Sequence, residues 1–542
     1  MLPYLWQHGK GLGCWGAEIA LRMRSSRFAL VLVFAALSLA TPRAQTRSLE
    51  LTTASIADIQ AAADAGKLTY EGLVGLYLRR IEAYDKKGPR LNAIITINPR
   101  ALEIARELDA ERKAKGRRGP LHGIPMVVKD NIDTADMPTT GGNEMFAGNR
   151  PAIDATVIEK LRQAGAIIIA KTNMDEMAQS VRGFSTVGGQ ILNPYNLAKN
   201  PGGSSGGTGV SIAASFATVG LGTETGVSVR SPAANNALIG VVPSRGLVSR
   251  AGVLPISFTQ DRVGVHARTT ADAAVVLSVI RGFDADDLAT AESLEHPVTD
   301  LTALPANSLR GVRVGVLRDL FRKDAEAAAG NAVIDKQLTL MTASGAIVID
   351  GLSTGTDLIG LMPSLRVNSY ELRSAFDSYL KRRGPARPVQ SFAELFNSGK
   401  WLKGGVLEAR FNDTMKAGDL NTNVEYQARL LNQKMMRQQL IGLMDRYGVA
   451  ALVYPMKSLG APAVGASDDG LRDNNLASTA GMPAIVVPAG WDAEGLPLAL
   501  EIMGRPFSDL TLLKIAHGYE QASKHRVPPK SVPPLPGESI RY

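Results

Sequence analysis

The segment 200–232 constrains this chain more than any other part of the sequence. It holds two glycine-rich clusters that contain serine, GGSSGG at 202–207 and GTETGVSVR at 222–230, separated by a run of small and apolar residues from 210 to 219 that predicts a helix. Glycines at this density let backbone approach backbone, or a ligand, without a Cβ in between. A serine among them can have free backbone N–H groups directed at it, which an oxyanion hole requires. The segment therefore predicts a catalytic serine.

Three other interpretations of this segment are weaker. A flexible linker is disfavoured because a helix-length run and the strand-like sequence VSVR (227–230) follow the first glycines. A nucleotide-binding loop is disfavoured because no Gly-Lys-Ser/Thr sequence follows them. Gly202, Ser204 and Gly206 match the G-x-S-x-G pattern of a nucleophile elbow, but residues 192–201 are predicted to form a loop and not the strand that such an elbow follows.

A second motif, HGIPMVVKDN at 122–131, contains a short apolar strand that ends at Lys129. A serine hydroxyl needs a base within hydrogen-bond reach. A lysine can serve when burial lowers its pKa enough to make it neutral near pH 7. The alternatives are that Lys129 is a surface lysine paired with Asp130, and that the base is one of the downstream histidines His266, His517 and His525.

Together these motifs resemble the signature of the amidase signature family of serine hydrolases. That signature combines a GGSSGG cluster, the pattern G-[ST]-[DE]-x-G-x-S-[IV]-R-x-P and a lysine in HGIPxxxKD. The similarity continues through GMPAIVVP at 481–488 and covers nearly all of the chain after the N-terminal segment. It implies an α/β fold in which a mixed central β-sheet has helices on both faces, and a site that uses no cofactor.

The resemblance also implies a role for each site residue. Ser228 is the nucleophile, Lys129 is the base, and Ser204, which follows a cis peptide bond after Gly203, relays the proton between them. The oxyanion hole is formed by the backbone N–H groups of Thr225, Gly226, Val227 and Ser228. Ser205 and Arg230 support the site structurally.

The chain departs from the common family pattern at three positions. Glu224 stands where aspartate is frequent, Val227 where glycine is frequent, and Val242 where lysine is usual. If the backbone at Val227 needs a positive φ, a β-branched residue there is strained. These changes bear on substrate preference more than on activity.

The composition of the chain argues against several classes of function and site. The net charge is +9, but five basic residues and one acidic residue lie within residues 1–44, and no long basic run follows, so a nucleic-acid partner is not predicted. The single cysteine, Cys14, lies in that same segment, which excludes disulfides and a cysteine nucleophile from the remainder of the chain. No cluster of histidines and carboxylates indicates a metal site.

Residues 1–44 are predicted to be a leader with a signal peptide. Arg24 and Arg27 precede an apolar stretch from 28 to 40, and small residues follow it. Met23 is the expected start, with cleavage near Ala40 or Ala44, so we expect an exported protein, periplasmic or secreted, with no membrane span after cleavage. The alternative is an uncleaved anchor.

Apolar residues recur at helical spacing over Tyr70–Tyr84, which Thr69 can cap, and over Pro99–Lys115, so both segments are predicted to be helices.

Residues 45–542 are predicted to form a single amidase domain. After Pro125, apolar strands such as 126–128 and 166–170 alternate with helices, a pattern typical of an α/β sandwich. Residues 355–445 interrupt the alternation and are mostly helical, with many aromatic and charged residues. We expect this insertion to be either a lid over the substrate site or an ordinary helical cap.

The predicted activity is hydrolysis of a carboxylic amide C–N bond, in a small-molecule or peptide substrate, through a serine acyl-enzyme. Attack on carbamates or esters at the same site is the main alternative. A transamidating subunit of the same family is disfavoured by the export signal, and a catalytically silent binding protein by the intact lysine and serines. The acyl group, the amine and the oligomeric state are not predicted.

Overall fold

The computed structural model describes residues 47–297, 300–466 and 474–542. The leader predicted for residues 1–44 therefore lies outside the described residues. Among the described helices, none is both long and apolar enough to cross a membrane.

An 11-stranded mixed sheet forms the centre of the fold, in the strand order β11-β10-β12-β14-β13-β8-β9-β7-β3-β4-β2. Short antiparallel pairs, β1 with β15 and β5 with β6, lie apart from it. The strands are β1 Ser48–Glu50, β2 Ile94–Ile97, β3 Pro125–Lys129, β4 Ile167–Thr172, β5 Phe184–Ser185, β6 Gly189–Gln190, β7 Val219–Glu224, β8 Ile239–Val242, β9 Arg262–Ala267, β10 Arg313–Leu317, β11 Ile347–Leu352, β12 Ala451–Lys457, β13 Ala484–Trp491, β14 Pro497–Gly504 and β15 Ser539–Arg541.

Helices flank this sheet, and a group of them fills the segment between β11 and β12. Their bounds are α1 Ile56–Asp64, α2 Tyr70–Tyr84, α3 Ala101–Lys115, α4 Thr156–Gln163, α5 Gly206–Ala213, α6 Arg230–Asn235, α7 Thr270–Ile280, α8 Ala328–Ala343, α9 Leu358–Leu361, α10 Asn368–Arg383, α11 Phe392–Ser398, α12 Gly405–Lys416, α13 Val424–Tyr447, α14 Leu476–Ala480 and α15 Asp509–Ser523. The predicted α/β class with a mixed sheet and helices on its faces is confirmed.

The central strands are buried along their whole length, as the apolar runs in the sequence indicate. Every residue of β3, β4 and β7 is buried. A sheet covered by helices on both faces leaves no side of such a strand in water, so its residues need not alternate between apolar and polar. The edge strand β11, by contrast, is mostly exposed or half-buried.

Several predicted elements are confirmed within a few residues. The helix predicted from its apolar spacing over Tyr70–Tyr84 has these bounds, and the Thr69 hydroxyl accepts the Gly72 N–H at 3.0 Å as its N-cap. The helix predicted to begin at Pro99 begins instead at Ala101.

Two local predictions within 200–232 are wrong. The helix expected over 210–219 begins earlier, at Gly206, and ends at Ala213, while strand β7 starts at Val219. The strand-like sequence VSVR is not a strand: residues 227–229 form a turn, and Arg230 opens the short helix α6. The turn forms because Arg230 pairs with two buried carboxylates, those of Glu224 and of Glu501 on the distant strand β14.

Candidate active site

Two neighbouring parallel strands bring the lysine motif next to the second glycine-rich cluster. β3 pairs with β7 so that Val128 lies opposite Leu221. Because the carboxyl ends of parallel strands open at the same edge of a sheet, Lys129 lies beside the last residues of β7. Its Nζ is 2.9 Å from the Thr223 hydroxyl oxygen and 3.3 Å from the Thr223 carbonyl oxygen.

The first cluster places Ser204 against the same lysine. Ser204 follows a cis peptide bond with Gly203, just before α5, and its Oγ is 2.7 Å from Lys129 Nζ. Both side chains are fully buried. Burial lowers the pKa of Lys129 to about 7, against an opposing effect of the nearby carboxylates of Asp175, Asp261 and Glu224. The lysine can therefore lose its proton near neutral pH.

Ser205 connects the two glycine-rich clusters by hydrogen bonds. Its backbone N–H donates to the Ser228 carbonyl at 3.2 Å, and its hydroxyl donates to the Thr223 carbonyl at 3.1 Å. The Thr223 N–H donates back to the Ser205 hydroxyl at 3.2 Å. A Cβ on Gly222 would lie 2.8 Å from the Ser205 hydroxyl oxygen, so only glycine fits between these segments.

A buried ion-pair network holds the turn that carries Ser228. The Glu224 carboxylate accepts the backbone N–H groups of Val229 at 3.0 Å and Arg230 at 3.1 Å, and it pairs with the Arg230 guanidinium at 2.8 Å. Arg230 also pairs with Glu501 at 2.6 Å and donates to the Gly226 carbonyl at 2.5 Å. The turn is thus fixed from its first to its last residue.

The turn forms part of the wall of a cavity and carries backbone donors that have no acceptor among the described residues. The backbone N–H groups of Thr225, Gly226, Val227 and Ser228, which are the four predicted for the oxyanion hole, have no acceptor within the described residues. Ser228 is 8% exposed and lies in the wall of the cavity, whose volume is about 440 Å³. Val227 is not among the described residues with positive φ, so the valine in place of glycine is not strained. Such an arrangement can stabilise a negatively charged oxygen on an acyl group held at Ser228.

Most of the cavity wall comes from three parts of the chain. One part is the turn Thr225 to Ser228, and a second is the loop 178–182 after β4. The third is the helical segment predicted as an insertion, which contributes Ile359, Pro363, Arg366, Asn368, Val406 and Arg410.

The histidines proposed as alternative bases do not line this cavity. The Nε2 atom of His266 is 2.9 Å from the Val229 carbonyl oxygen, to which it donates, and burial lowers the pKa of His266 to about 4. His517 lies on α15. A histidine base for Ser228 therefore has no support in the described geometry.

The structure thus gathers the predicted site residues at the carboxyl edge of β3 and β7, with Arg230 beneath the turn. Sequence reasoning missed Thr223, whose two oxygens contact Lys129. It also missed Asp175, whose backbone N–H donates to the Ser204 carbonyl at 3.1 Å and whose Oδ1 accepts the N–H groups of Arg182 and Gly183. Both residues sit at or just after the end of a buried strand, which is the signal that could have found them.

Known proteins are similar in sequence to most of this chain. Residues 72–513 match the model of the Amidase family. A probable amidase of Arabidopsis thaliana is 34% identical over 88% of this chain and 92% of its own length. A glutamyl-tRNA(Gln) amidotransferase subunit of Carboxydothermus hydrogenoformans is 32% identical over 87% of this chain and 96% of its own length.

Solved structures show the same fold. The native peptide amidase of Stenotrophomonas maltophilia is 36% identical, with a TM-score of 0.80 over 88% of this chain and 98% of its own. An amidase family protein of Bacillus anthracis is 32% identical, with a TM-score of 0.79 over 89% of this chain and 93% of its own. The chain therefore belongs to the amidase signature family of enzymes, which act on amide C–N bonds.

Proposed function

We propose that this chain hydrolyses amides of small molecules or peptides, with Ser228 as nucleophile, Lys129 as base and Ser204 as the proton relay. The observation that carries the proposal is the position of Lys129. It is buried, its pKa is lowered to about 7, and its Nζ lies 2.7 Å from Ser204 beside the turn that carries Ser228. A base that is neutral near the working pH is what activation of a serine hydroxyl requires.

The contacts of Lys129 suit the neutral amine. A neutral amine has two N–H donors and one lone pair, and the two oxygens of Thr223 are placed to accept the two N–H groups. The lone pair is then free to take the hydroxyl proton of Ser204, while Ser204 takes the proton of Ser228. The Ser228 oxygen forms a bond to the amide carbonyl carbon, and the carbonyl oxygen becomes an anion bound by the N–H groups of residues 225–228.

The same proton then returns to the leaving group. Lys129 gives it back through Ser204 to the amide nitrogen as the C–N bond breaks, so that a neutral amine leaves and an acyl ester of Ser228 is formed. Water attacks this ester, with its proton taken by the same relay. The carboxylic acid is released and the Ser228 hydroxyl is restored. The reaction consumes only the amide and one water molecule, and all three side chains are restored.

Substrates of small-molecule or short-peptide size are supported by the cavity and by the relatives. A volume of about 440 Å³ falls in the range usual for small-molecule sites. The helical segment 355–445 walls one side of it, which fits the role of a substrate lid. We also propose that the protein is exported and works outside the cytoplasm, on the basis of the sequence of residues 1–44.

A fluorophosphonate probe tests the nucleophile. The wild-type protein should be labelled at Ser228 and should turn over peptide or aryl amides. Ser228→Ala should lose both labelling and turnover, whereas Ser364→Ala, which changes an exposed serine of the helical segment, should keep both. Labelling of another residue, or wild-type turnover by Ser228→Ala, would remove Ser228 from the mechanism.

A substrate panel tests the reaction class. Matched amides, carbamates and esters with a common acyl group should all be compared by kcat/KM. Detectable hydrolysis of amides supports an amidase, and hydrolysis confined to carbamates or esters would assign the site to that alternative.

A further inference from the structure

The charged side chains among the described residues of the cavity wall are all positive. Among the described lining residues, the only charged side chains are Arg182, Arg366 and Arg410, and all three are half-buried. A guanidinium keeps its positive charge at any physiological pH. The cavity that holds Ser228 is therefore positive, with no carboxylate among its described lining residues.

Arg410, on α12, has guanidinium N–H groups that no described residue accepts. Its Nη1 donates to the backbone carbonyl and to the side-chain Oε1 of Gln179, both at 2.9 Å. Within the part of the chain that the structure describes, no carboxylate pairs with it and no acceptor takes its Nε or Nη2 hydrogens. Burial and the neighbouring Arg366 lower its pKa to about 10. Both effects disfavour a positive charge at this position.

Some buried arginines among the described residues have a carboxylate partner. Arg80 contacts Glu538 at 2.7 Å, and Arg230 contacts Glu224 and Glu501. Arg262 and Arg268 lack a carboxylate partner but donate to backbone carbonyls and lie outside the cavity lining. Arg410 differs from both groups because it lines the cavity while some of its donors stay unused.

Two neutral side chains of the same wall are also incompletely bonded. The Oε1 atom of Gln179 is taken by Arg410, and its Nε2, in a side chain only 1% exposed, has no partner among the described residues. The buried Oδ1 of Asn368 likewise has no donor among the described residues. The unused guanidinium N–H groups of Arg410 suit a carboxylate, and Gln179 orients the guanidinium through the two hydrogen bonds that it accepts.

We propose that Arg410, oriented by Gln179 and assisted by Arg366, binds a carboxylate of the substrate, so that the preferred substrates are amides of acidic peptides. This inference rests on the proposed amide hydrolysis at Ser228, since the same cavity serves both. The carboxylate is either an acidic side chain or a carboxylate at the N-terminal end of the peptide, and the substrate series below distinguishes the two.

Matched peptide amides test the inference by turnover. The pair acetyl-Glu-Phe-amide and acetyl-Gln-Phe-amide differs by one charge at nearly constant size, and succinyl-Gln-Phe-amide moves the carboxylate to the N-terminal end. We expect the better acidic substrate to exceed the neutral one at least about tenfold in kcat/KM, as charge-assisted hydrogen bonds allow. Arg410→Gln should reduce this ratio to near one, and Arg410→Lys should keep part of it.

Arg373→Gln is the matched control, because Arg373 is an exposed arginine of the same helical segment that does not line the cavity. This variant should keep the wild-type ratio. A ratio near one in the wild type for both acidic substrates, or an equal fall in Arg373→Gln and Arg410→Gln, would overturn the inference while leaving amide hydrolysis in place.

A binding measurement separates this inference from the proposed function. Ser228→Ala protein should bind acetyl-Glu-Phe-amide or succinyl-Gln-Phe-amide more tightly than acetyl-Gln-Phe-amide by calorimetry, and adding Arg410→Gln should remove the difference. Equal affinities in Ser228→Ala would refute carboxylate recognition whatever the turnover data show. If Ser228→Ala binds the acidic peptides preferentially but the wild-type protein hydrolyses no amide, the proposed hydrolase activity would be refuted and the carboxylate-binding site would be retained.

Discussion

The side-chain nitrogen of Lys129 lies 2.7 Å from the hydroxyl oxygen of Ser204, and neither side chain is exposed to solvent. In water a lysine holds its proton up to a pH near its ordinary pKa of about 10.4. In this structure burial lowers that pKa to about 7. The pair can therefore exchange a proton under the conditions in which an amidase works, without a histidine.

Lys129→Ala should impair amide hydrolysis more than hydrolysis of a matched activated ester. Attack by Ser228 needs a base with either substrate. An amine, however, must be protonated as it leaves, while a phenolate leaves with little help. Each proton transfer is typically worth about 10²–10⁴-fold in rate, so the amide should lose two such factors and the ester mainly one. The measurement is kcat/KM for both substrates at one pH.

Ser204→Ala should show the same bias, because it interrupts the same proton path. Ser364→Ala is again the control and should show none. Equal losses on amide and ester in Lys129→Ala, with chemistry limiting both reactions, would show that this lysine is not the proton carrier.

Amide turnover by the wild type should rise with pH through about 7. The protonated lysine, present below its pKa of about 7, cannot accept the Ser204 proton, and the neutral lysine above it can. The pH dependence of kcat/KM reports the free enzyme and is the quantity to measure. A flat profile across this range would contradict the assignment of Lys129 as base.

Asp175→Asn should move this rise to lower pH. The Asp175 carboxylate, whose own pKa burial raises to about 6, is ionised near pH 7 and favours the charged lysine. Removing its charge therefore lowers the pKa of Lys129 further. Asparagine can still accept the N–H groups of Arg182 and Gly183. Asp64→Asn, at an exposed surface position, should leave the profile in place, and an upward shift in Asp175→Asn would count against this electrostatic coupling.

Arg230→Met should destabilise the fold. It leaves the carboxylates of Glu224 and Glu501 buried without their partner, and breaking one side of a buried ion pair typically costs about 3–5 kcal/mol of the free energy of unfolding. Urea denaturation of wild type and variant measures the difference. Arg106→Met removes an exposed ion pair with Glu71 and should change stability little. Equal small effects in both variants would show that the buried network does not hold the turn.

The mature protein should begin close to residue 41 or 45. Arg24 and Arg27 precede the apolar stretch 28–40, which is the pattern of a cleavable export signal. N-terminal sequencing of the exported protein locates the cleavage, and replacing both arginines with glutamate should reduce export. A cytoplasmic protein that keeps Met1 or Met23 at its N-terminus would contradict this prediction.

Local patterns in the sequence predicted the elements that depend on local physics. The apolar spacing of Tyr70–Tyr84 and the capping threonine before it gave the bounds of α2, and the apolar runs gave β3 and β4 to within a few residues. These patterns work because a helix repeats every 3.6 residues and because a strand covered on both faces is apolar throughout. The motifs, through their resemblance to a family, named Lys129, Ser204 and Ser228.

The sequence by itself determined the fold class and the family, and it named Lys129, Ser204 and Ser228 as candidate catalytic residues, whereas Thr223 and Asp175 were found only in the structure. Only the tertiary structure decided that VSVR is a turn leading into α6, because Arg230 is held by Glu501, 271 positions away, while Glu224 accepts the N–H groups of Val229 and Arg230. The positive wall of the cavity likewise became visible only in three dimensions. Gln179 and Arg410 are 231 positions apart in the chain and meet through the packing of α12 against the loop after β4. Contacts of this kind depend on which segments the fold brings together, and no local pattern in either segment encodes them.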